Sequence, residues 1–237
     1  MNLIDRYGIS INMDKLIEEI SLRNKHYIFE DRKEAGRLLA KKLIKHKESR
    51  GIVFGIPSGG APVAREIADT LKWQMDLIIV RKLKIPYNPE AGFGAMDPDG
   101  EIIVNKGLLT QIRLSEYEIN AQTKNTMDVI ESRDRIFRGG RPYPSLKDKI
   151  IIIVDDGLAS GYTMLAAVRF LKKRFPDEII VAVPTGSRDT IDFVLPEVDE
   201  LVCLNVRTGF SFAVADAYKN WYDLTDEEVI SVIKGRA

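Results

Sequence analysis

The sequence predicts an α/β fold with a mainly parallel sheet flanked by helices. Apolar runs of strand length, rich in Ile and Val, alternate along the chain with segments whose apolar residues repeat at helical spacing. Consecutive strands are therefore joined through helices, which favours right-handed crossovers and parallel pairing. At 237 residues the chain can bury a full α/β core and add a small cap.

The predicted strands are short apolar runs bounded by polar or turn residues. In chain order they cover residues 51–56, 76–82, 101–104, 151–154, 178–183 and 200–206. Residues 77–80 and 151–154 are unbroken apolar runs, which is typical of strands buried on both faces of a parallel sheet. A Pro- and Gly-rich excursion over residues 84–100 interrupts this alternation. The excursion and the polar segment after it form an insertion that a minimal α/β unit does not need.

Capping residues mark the predicted helix starts. Asp31 with Glu34, Ser115 with Glu118 and Thr225 with Glu228 have the three-residue spacing of a capping box. Pro62 suits a first helical turn, where its missing N–H is not needed. Helices are predicted from residue 31 to about 45, over 62–72, over 115–137, after residue 163, weakly over 189–194, and over 225–234.

Composition restricts the class of protein. The 35 basic residues balance 35 acidic residues, so the chain has no general attraction to nucleic acid or to a membrane. Residues 1–6 lack an apolar secretion core, and no run approaches the roughly 18 apolar residues of a membrane span. Cys203, the only cysteine, lies in an apolar run and is interpreted as a core thiol. We expect a cytoplasmic protein.

The most informative segment is the strand over 151–154 with the loop that follows it. Asp155 and Asp156 end the strand, and the small residues after them run into a predicted helix. Backbone N–H groups of such a loop, with the hydroxyls of Ser160 and Thr163, can bind a phosphate. An acidic pair beside a phosphate site needs sugar hydroxyls or a divalent cation as its partner. A phosphorylated ribose meets both requirements.

This segment resembles the 5-phosphoribosyl-1-diphosphate (PRPP) signature of type I phosphoribosyltransferases. The resemblance implies that Asp155 and Asp156 contact the ribose hydroxyls and hold Mg²⁺ mainly indirectly, through those hydroxyls or water. It assigns catalytic roles to Asp155, Asp156 and Lys82. The residues implied to hold the 5′-phosphate are Gly157, Leu158, Ala159, Ser160, Gly161, Tyr162 and Thr163. The alternative is a plain buried strand and helix of another α/β protein, with the acids at the sheet edge by chance.

The resemblance extends over most of the chain. It includes residues 29–36, 80–83, 88–90, 138–142, 221–222 and 225–228, and it points to a branch known as predicted phosphoribosyltransferases. The fold implied is one domain over 1–237 with a Rossmann-like core over about 30–206. Residues 1–29, 84–146 and 207–237 are expected to contribute a hood or lid.

A second loop, Ser58-Gly59-Gly60, lies between a predicted strand and a predicted helix. Two glycines permit backbone conformations closed to other residues, so their N–H groups can converge on an anion. In the family the corresponding loop binds diphosphate, and a basic residue at the end of the next strand commonly approaches the same group. The resemblance therefore implies that Arg81 and Lys82 bind diphosphate. A plain tight turn and a solvated strand end are the alternatives.

Two segments are candidates for a lid that shields the reaction from water. Residues 84–96 combine prolines with glycines, and residues 138–142 combine Gly139 and Gly140 with two guanidinium groups. We therefore expect Arg138 and Arg141 to contact diphosphate. Ordinary surface loops are the alternative.

The implied function is transfer of 5-phosphoribosyl from PRPP to a nitrogen acceptor, a nucleobase or related compound, with release of diphosphate. Mg²⁺, PRPP and a small acceptor are the expected partners, in a homodimer that binds neither nucleic acid nor membrane. Enzymes acting on 6-oxopurines carry an acid where this chain has Ala159, which disfavours those acceptors. Base stacking, core packing and dimer packing remain open for the aromatic residues Phe210, Phe212, Tyr218, Trp221 and Tyr222. The alternative function is a PRPP-binding regulator without turnover.

Overall fold

The computed structural model describes residues 2–4, 10–12, 15–209 and 211–235. Its strands are β1 (Asn2–Ile4), β2 (Ser10–Asn12), β3 (Leu16–Glu18), β4 (Gly51–Gly55), β5 (Gln74–Leu77), β6 (Arg81–Ile85), β7 (Asn88–Met96), β8 (Ile102–Val104), β9 (Ile150–Val154), β10 (Glu178–Ser187) and β11 (Glu200–Arg207). Its α-helices are α1 (Arg32–Leu43), α2 (Gly60–Leu71), α3 (Lys106–Ile112), α4 (Glu116–Arg138), α5 (Tyr162–Lys172), α6 (Arg188–Val194) and α7 (Asp226–Ile233).

The main sheet has six parallel strands in the order β3-β11-β10-β9-β4-β5. The chain passes from β4 through α2 to β5 on one side, and from β9 through α5 to β10 on the other. The direction of winding therefore reverses between β4 and β9. In open α/β sheets such a reversal opens a crevice at the carboxyl ends of the strands, where ligands bind.

Both faces of this sheet are buried, as the unbroken apolar runs predict. Side chains alternate across the strand, so Ile152 and Val154 of β9 pack with helices α1 and α2. Ile151 and Ile153 pack on the other face, with α5 and α6. The predicted fold class, a mainly parallel sheet flanked by helices, is confirmed.

The helix starts follow the predicted capping residues. Ser115 and Thr225 form complete capping boxes with Glu118 and Glu228 at the starts of α4 and α7. The Asp31 side chain caps α1 by accepting the Glu34 N–H at 2.8 Å. Helix α3 and the edge strand β3 had no prediction, because each is short and carries no strong periodic pattern.

The strand predicted over 76–82 is wrong in its extent. Parallel pairing with β4 ends at Leu77, and the chain turns before β6 begins at Arg81. Ile78 and Ile79 are fully buried but belong to different apolar clusters, so the run crosses between two cores. An unbroken apolar run does not distinguish such a crossing from one buried strand.

The Pro- and Gly-rich excursion is also more ordered than expected. Strands β6, β7 and β8 form an antiparallel sheet of three strands, and β7 includes most of the segment predicted to be a mobile lid. Helices α3, α4 and α7 pack around this sheet through Leu83, Phe93, Ile130, Val229 and neighbouring apolar residues. The insertion thus forms a second layer beside the carboxyl edge of the main sheet.

Arg138 anchors this second layer to the main sheet. Its guanidinium donates to both carboxylate oxygens of Asp76, at 3.1 and 3.2 Å, and to Asp134 at 2.7 Å. It also donates to backbone carbonyls of Arg141 and Pro142, and it lies 3.6 Å over the Tyr143 ring. Burial raises the pKa of Tyr143 to about 12.

The structure therefore corrects the expectation that Arg138 contacts diphosphate from a mobile lid. Its side chain is 1% exposed and its donors are used inside the fold. Gly139 and Gly140 have φ values of 68° and 67° and end α4 in the left-handed region, so they serve a helix end. Arg141 is half exposed and donates to Asp76 at 2.8 Å.

We predict that Asp76→Ala lowers the free energy of unfolding by about 2–4 kcal/mol, because it removes the buried carboxylate that accepts from Nε and Nη2 of Arg138 and leaves Asp134 as the charge partner. The measurement is urea unfolding at neutral pH. Glu131→Ala removes an exposed ion pair on the same helix and is the control, with an expected change within about 0.5 kcal/mol. A double variant Asp76→Ala/Arg138→Met should be more stable than Asp76→Ala. A loss below about 1 kcal/mol in Asp76→Ala would contradict this role.

Candidate active site

Asp155 and Asp156 follow β9 directly, at the carboxyl edge of the main sheet. The neighbouring strand β4 ends in register with β9, since Gly55 pairs with Val154. The loop after β4 carries Ser58, Gly59 and Gly60, so the two predicted site elements leave adjacent strands at the point where the winding reverses. The fold alone brings the acidic pair and the Ser-Gly-Gly loop together.

The contact between these elements requires both glycines. A Cβ atom on Gly59 would overlap the carboxylate of Asp156. A Cβ atom on Gly60 would lie 2.5 Å from the Val154 carbonyl oxygen. Gly59 has φ −63° and ψ −34°, a conformation that any residue adopts. The sequence predicted glycines in conformations closed to other residues, but here the glycines are needed because they leave space. The Pro57-Ser58 peptide bond is cis.

The loop from Gly157 to Thr163 is held by hydrogen bonds near its start and runs into α5 at its other end. Leu158 donates its N–H to the Thr185 carbonyl of β10 at 2.8 Å, and the Thr190 hydroxyl of α6 donates to the Ala159 carbonyl. Gly161 has φ 79°, a conformation that favours glycine, and α5 begins at the next residue. Ala159 and Ser160 are exposed.

The donors of this loop point to an anion site. No backbone carbonyl in the described part of the chain accepts from the N–H groups of Ser160, Gly161 or Thr163. These groups precede or open an eleven-residue helix, whose dipole also favours a negative charge at this end. The loop is therefore able to bind a phosphate without any rearrangement of its own hydrogen bonds.

The two carboxyl groups have perturbed protonation. Burial raises the pKa of Asp155 well above its ordinary value, and the adjacent charge of Asp156 raises it further. Burial also raises the pKa of Asp156, while the Arg32 guanidinium opposes that rise. The charge of Arg32 and the Asp156 N–H, which donates to Asp155 at 2.9 Å, favour the ionised form of Asp155 but do not offset the effect of burial. A further cation or a sugar diol would favour that form.

Arg32 is a site residue that the sequence analysis missed. Its Nε donates to the Asp156 carboxylate at 2.8 Å, and its Nη1 donates to the Tyr222 carbonyl at 2.8 Å. The guanidinium lies 4.0 Å from the centroid of the Trp221 ring. The Tyr218 hydroxyl donates to the backbone carbonyl of Asp156 at 2.6 Å. The C-terminal segment thus fixes the acidic pair through one buried cation.

A signal for Arg32 exists in the sequence. Arg32 is the first residue of α1, where a cation is unfavourable because the helix dipole is positive at that end. A cation there needs a strong anionic partner, but the sequence does not indicate which one. The partner lies 124 positions away, and only the folded sheet brings the two together.

The other predicted residues are placed as follows. Arg81 and Lys82 open β6 beside the main sheet, and burial lowers the pKa of Arg81. Methylene groups of Lys82 pack over Gly92. Tyr218 is buried, Trp221 and Tyr222 are 38% and 54% exposed, Phe212 is half-buried, and Phe210 lies outside the described residues. Cys203 is fully buried, as predicted for a core thiol.

The described residues show neither a preformed metal cluster nor a membrane-spanning helix. No group of three or more His, Cys, Asp or Glu side chains there could hold a metal ion by itself. No helix among them is long and apolar enough to cross a membrane.

We predict that Asp155→Asn stabilises the protein at neutral pH and not in acid. A carboxyl whose pKa is raised by folding destabilises the folded state as pH rises from its unfolded pKa through its folded pKa. Well below about pH 3.9, the ordinary pKa of Asp, the carboxyl is protonated in both states, so the difference disappears. Urea unfolding should show a gain in the free energy of unfolding at pH 7 that is lost in acid.

Asp128→Asn, on an exposed face of α4, is the matched control and should change stability equally little at both pH values. An Asp155→Asn variant that gains no more stability at pH 7 than in acid would show that the carboxyl is not perturbed as described.

Comparisons with known proteins agree with this geometry. The family model described as phosphoribosyl transferase domain matches residues 28–216. Two curated proteins from Mycobacterium tuberculosis, strains CDC 1551 and H37Rv, are provisionally named phosphoribosyl transferases. Each is 35% identical to this chain over 206 residues, which is 87% of this chain and 46% of the relative. The chain therefore spans about half the length of the curated relatives it matches.

A solved structure is similar over nearly its whole length. The crystal structure of the protein TT1426 from Thermus thermophilus is 32% identical in sequence, with a TM-score of 0.71. The match covers 88% of this chain and 99% of that chain. The predicted resemblance to type I phosphoribosyltransferases is confirmed, and the chain belongs to the family of proteins with a phosphoribosyl transferase domain.

Proposed function

We propose that the protein transfers 5-phosphoribosyl from PRPP to a nitrogen acceptor, with Mg²⁺, and releases diphosphate. The observation that carries this proposal is the contact between Gly59 and Asp156 at the ends of adjacent strands. It supports the proposal because the Ser58 loop, the acidic pair and the loop after Asp156 then lie along one edge of the sheet. PRPP has a diphosphate, a diol and a phosphate in the same sequence around its ribose ring.

The ribose and its phosphate are assigned to β9 and the loop after it. Asp155 is the first candidate for the ribose hydroxyls. Its raised pKa shows that the ionised carboxylate is poorly stabilised in the protein, so a partner that donates hydrogen bonds to it is favoured. Asp156 contributes one carboxylate oxygen that Arg32 does not occupy. The loop over residues 157–163 binds the 5′-phosphate through the hydroxyls of Ser160 and Thr163 and through backbone N–H groups other than that of Leu158, which donates to the Thr185 carbonyl.

The diphosphate is assigned to Ser58, Gly59 and Gly60. Arg81 and Lys82 start β6 beside the main sheet and supply positive charge for the leaving group. Lys82 is the side chain proposed to approach the diphosphate as it leaves. Arg141 is half exposed and stays a candidate for binding the diphosphate. Arg138 is buried and is not proposed to bind it.

The site fits Mg²⁺ that arrives with the substrate. Two half-buried carboxyl groups with raised pKa values favour a cation, yet two are too few for a protein-made site with octahedral coordination. Asp155 and Asp156 would hold the ion mainly through ribose hydroxyls or water, with substrate oxygens as further ligands. When bound, Mg²⁺ neutralises charge on the departing diphosphate.

The side chains of the protein act by electrostatics and by positioning. The acceptor nitrogen forms a bond to ribose C1 as the bond from C1 to the diphosphate oxygen breaks. The carboxylates of Asp155 and Asp156 favour the positive charge that grows on the ribose ring, and they are already in place before the reaction. No covalent bond to the protein is required.

The acceptor is proposed to be a nucleobase or related compound other than a 6-oxopurine. Ala159 offers no acid, and its carbonyl already accepts from Thr190, so this position has no group to exchange a proton with an oxopurine. Trp221 and Tyr222 are exposed aromatic rings next to Arg32 and are the candidates for stacking. We propose a homodimer as the assembly.

We predict that diphosphate appears when the protein is incubated with PRPP, Mg²⁺ and the correct member of a nucleobase panel. Asp155→Asn and Asp156→Asn should lower that rate at least tenfold, about 1.4 kcal/mol of transition-state stabilisation, because each removes charge beside the ribose. Asp128→Asn is the control and should retain the rate. Unchanged diphosphate release in both site variants would remove the proposed role, and tight PRPP binding without turnover would identify a regulator.

We predict that Gly59→Ala weakens PRPP binding at least tenfold, about 1.4 kcal/mol, because the added methyl group displaces the Asp156 carboxylate or the loop. Titration calorimetry with PRPP and Mg²⁺ measures the affinity. Gly107→Ala is the control, since a Cβ atom there meets Asn105 Oδ1 at an ordinary 3.5 Å. Equal affinities for the wild type and Gly59→Ala would contradict the proposed arrangement.

A further inference from the structure

Arg133, in the long helix α4, reaches the Ser58 loop from the second layer. Its guanidinium donates from Nη2 to the Ser58 hydroxyl at 2.9 Å. Ser58 is the residue before Gly59, which lies against Asp156. A cation from a distant segment thus contacts the loop that the proposed function assigns to diphosphate.

The surroundings of Arg133 leave part of its hydrogen-bonding capacity unused. The side chain is 19% exposed and packs with its guanidinium carbon 4.7 Å from the centroid of the Phe137 ring. Its nearest carboxylate is Asp226, the first residue of α7, at 3.5 Å. Within the described residues its buried Nε has no hydrogen-bond partner. A buried guanidinium donor without a partner is costly in free energy, which points to an acceptor that comes from outside the chain.

A second guanidinium lies close to the first. Burial lowers the pKa of Arg81, and the charge of Arg133 lowers it further, while Asp226 opposes both effects. The charges of Arg81 and Arg133 therefore disfavour each other, and the Asp226 carboxylate offsets part of this effect. An anion with two or more negative charges would relieve this repulsion and satisfy the donors.

We propose that Arg133 is a further substrate-binding residue, which holds the Ser58 loop and, with Arg81, binds the diphosphate end of the substrate. On binding, diphosphate oxygens replace Asp226 as the anionic partner of Arg133. Planar guanidinium donors suit this task because they bind phosphate oxygens in pairs. The inference rests on the proposed function, since it names a residue for the diphosphate of that substrate. It also links α7 to the arrival of substrate, through Asp226.

The test compares ligands with and without diphosphate. Titration calorimetry of Arg133→Met should show at least a tenfold loss of affinity for PRPP and for inorganic diphosphate, each with Mg²⁺. Affinity for ribose 5-phosphate should stay within about twofold, because that ligand lacks the diphosphate. Arg133→Lys should restore part of the loss, since it keeps the charge and loses the paired geometry. Arg135→Met, at an exposed position on the same helix, is the control and should bind as the wild type does.

Asp226→Asn is a second variant, and its expected effect on diphosphate affinity is opposite to that of Arg133→Met. Removing the carboxylate that competes for Arg133 should raise diphosphate affinity about two- to threefold. It also keeps the test decisive if Arg133→Met does not fold. Unchanged affinities in Arg133→Lys and Asp226→Asn would overturn the inference, as would equal losses for PRPP and ribose 5-phosphate in Arg133→Met. A wild-type protein that binds neither PRPP nor diphosphate would refute the proposed function itself.

Discussion

The architecture of this site depends on how closely two backbone segments approach each other at the ends of β4 and β9. Gly59 and Gly60 have no side chain where Asp156 and the Val154 carbonyl already lie, and any larger residue would separate the segments. This approach puts candidate sites for an anion and for a ribose within one ligand's length. The remainder of the sheet, with both faces buried, holds the two strand ends in register.

Charge in the site is concentrated before any ligand is present. Asp155 and Asp156 are adjacent and half-buried, with Arg32 paired to one of them, and Arg133 contacts Ser58 while its charge acts on Arg81. Such an arrangement reduces the stability of the free protein, because each uncompensated charge is held away from water. It is compatible with a ligand that brings the opposite charges in the same places. The stability that the fold gives up locally is then recovered on binding.

Much of the fold follows from local patterns in the sequence, whereas several site residues do not. The strand over 151–154, the capping residues Asp31, Ser115 and Thr225, and the loop after Asp156 are readable because their signals span a few neighbouring positions. Arg32 and Arg133 act on residues 124 and 75 positions away, so only the folded sheet reveals their roles. Arg138 was misjudged for the same reason. Glycines beside it resemble a hinge, but its partner Asp76 is distant in sequence and buries it.

The central claim is that one edge of the sheet binds PRPP across all three elements. A crystal structure of the protein soaked with PRPP and Mg²⁺ tests it most directly. We expect the 5′-phosphate on the N–H groups of residues 160–163, the ribose hydroxyls on Asp155, and the diphosphate between Ser58 and the guanidinium groups of Arg81 and Arg133. Density for the sugar phosphate elsewhere on the protein, or an empty edge at saturating ligand, would contradict it.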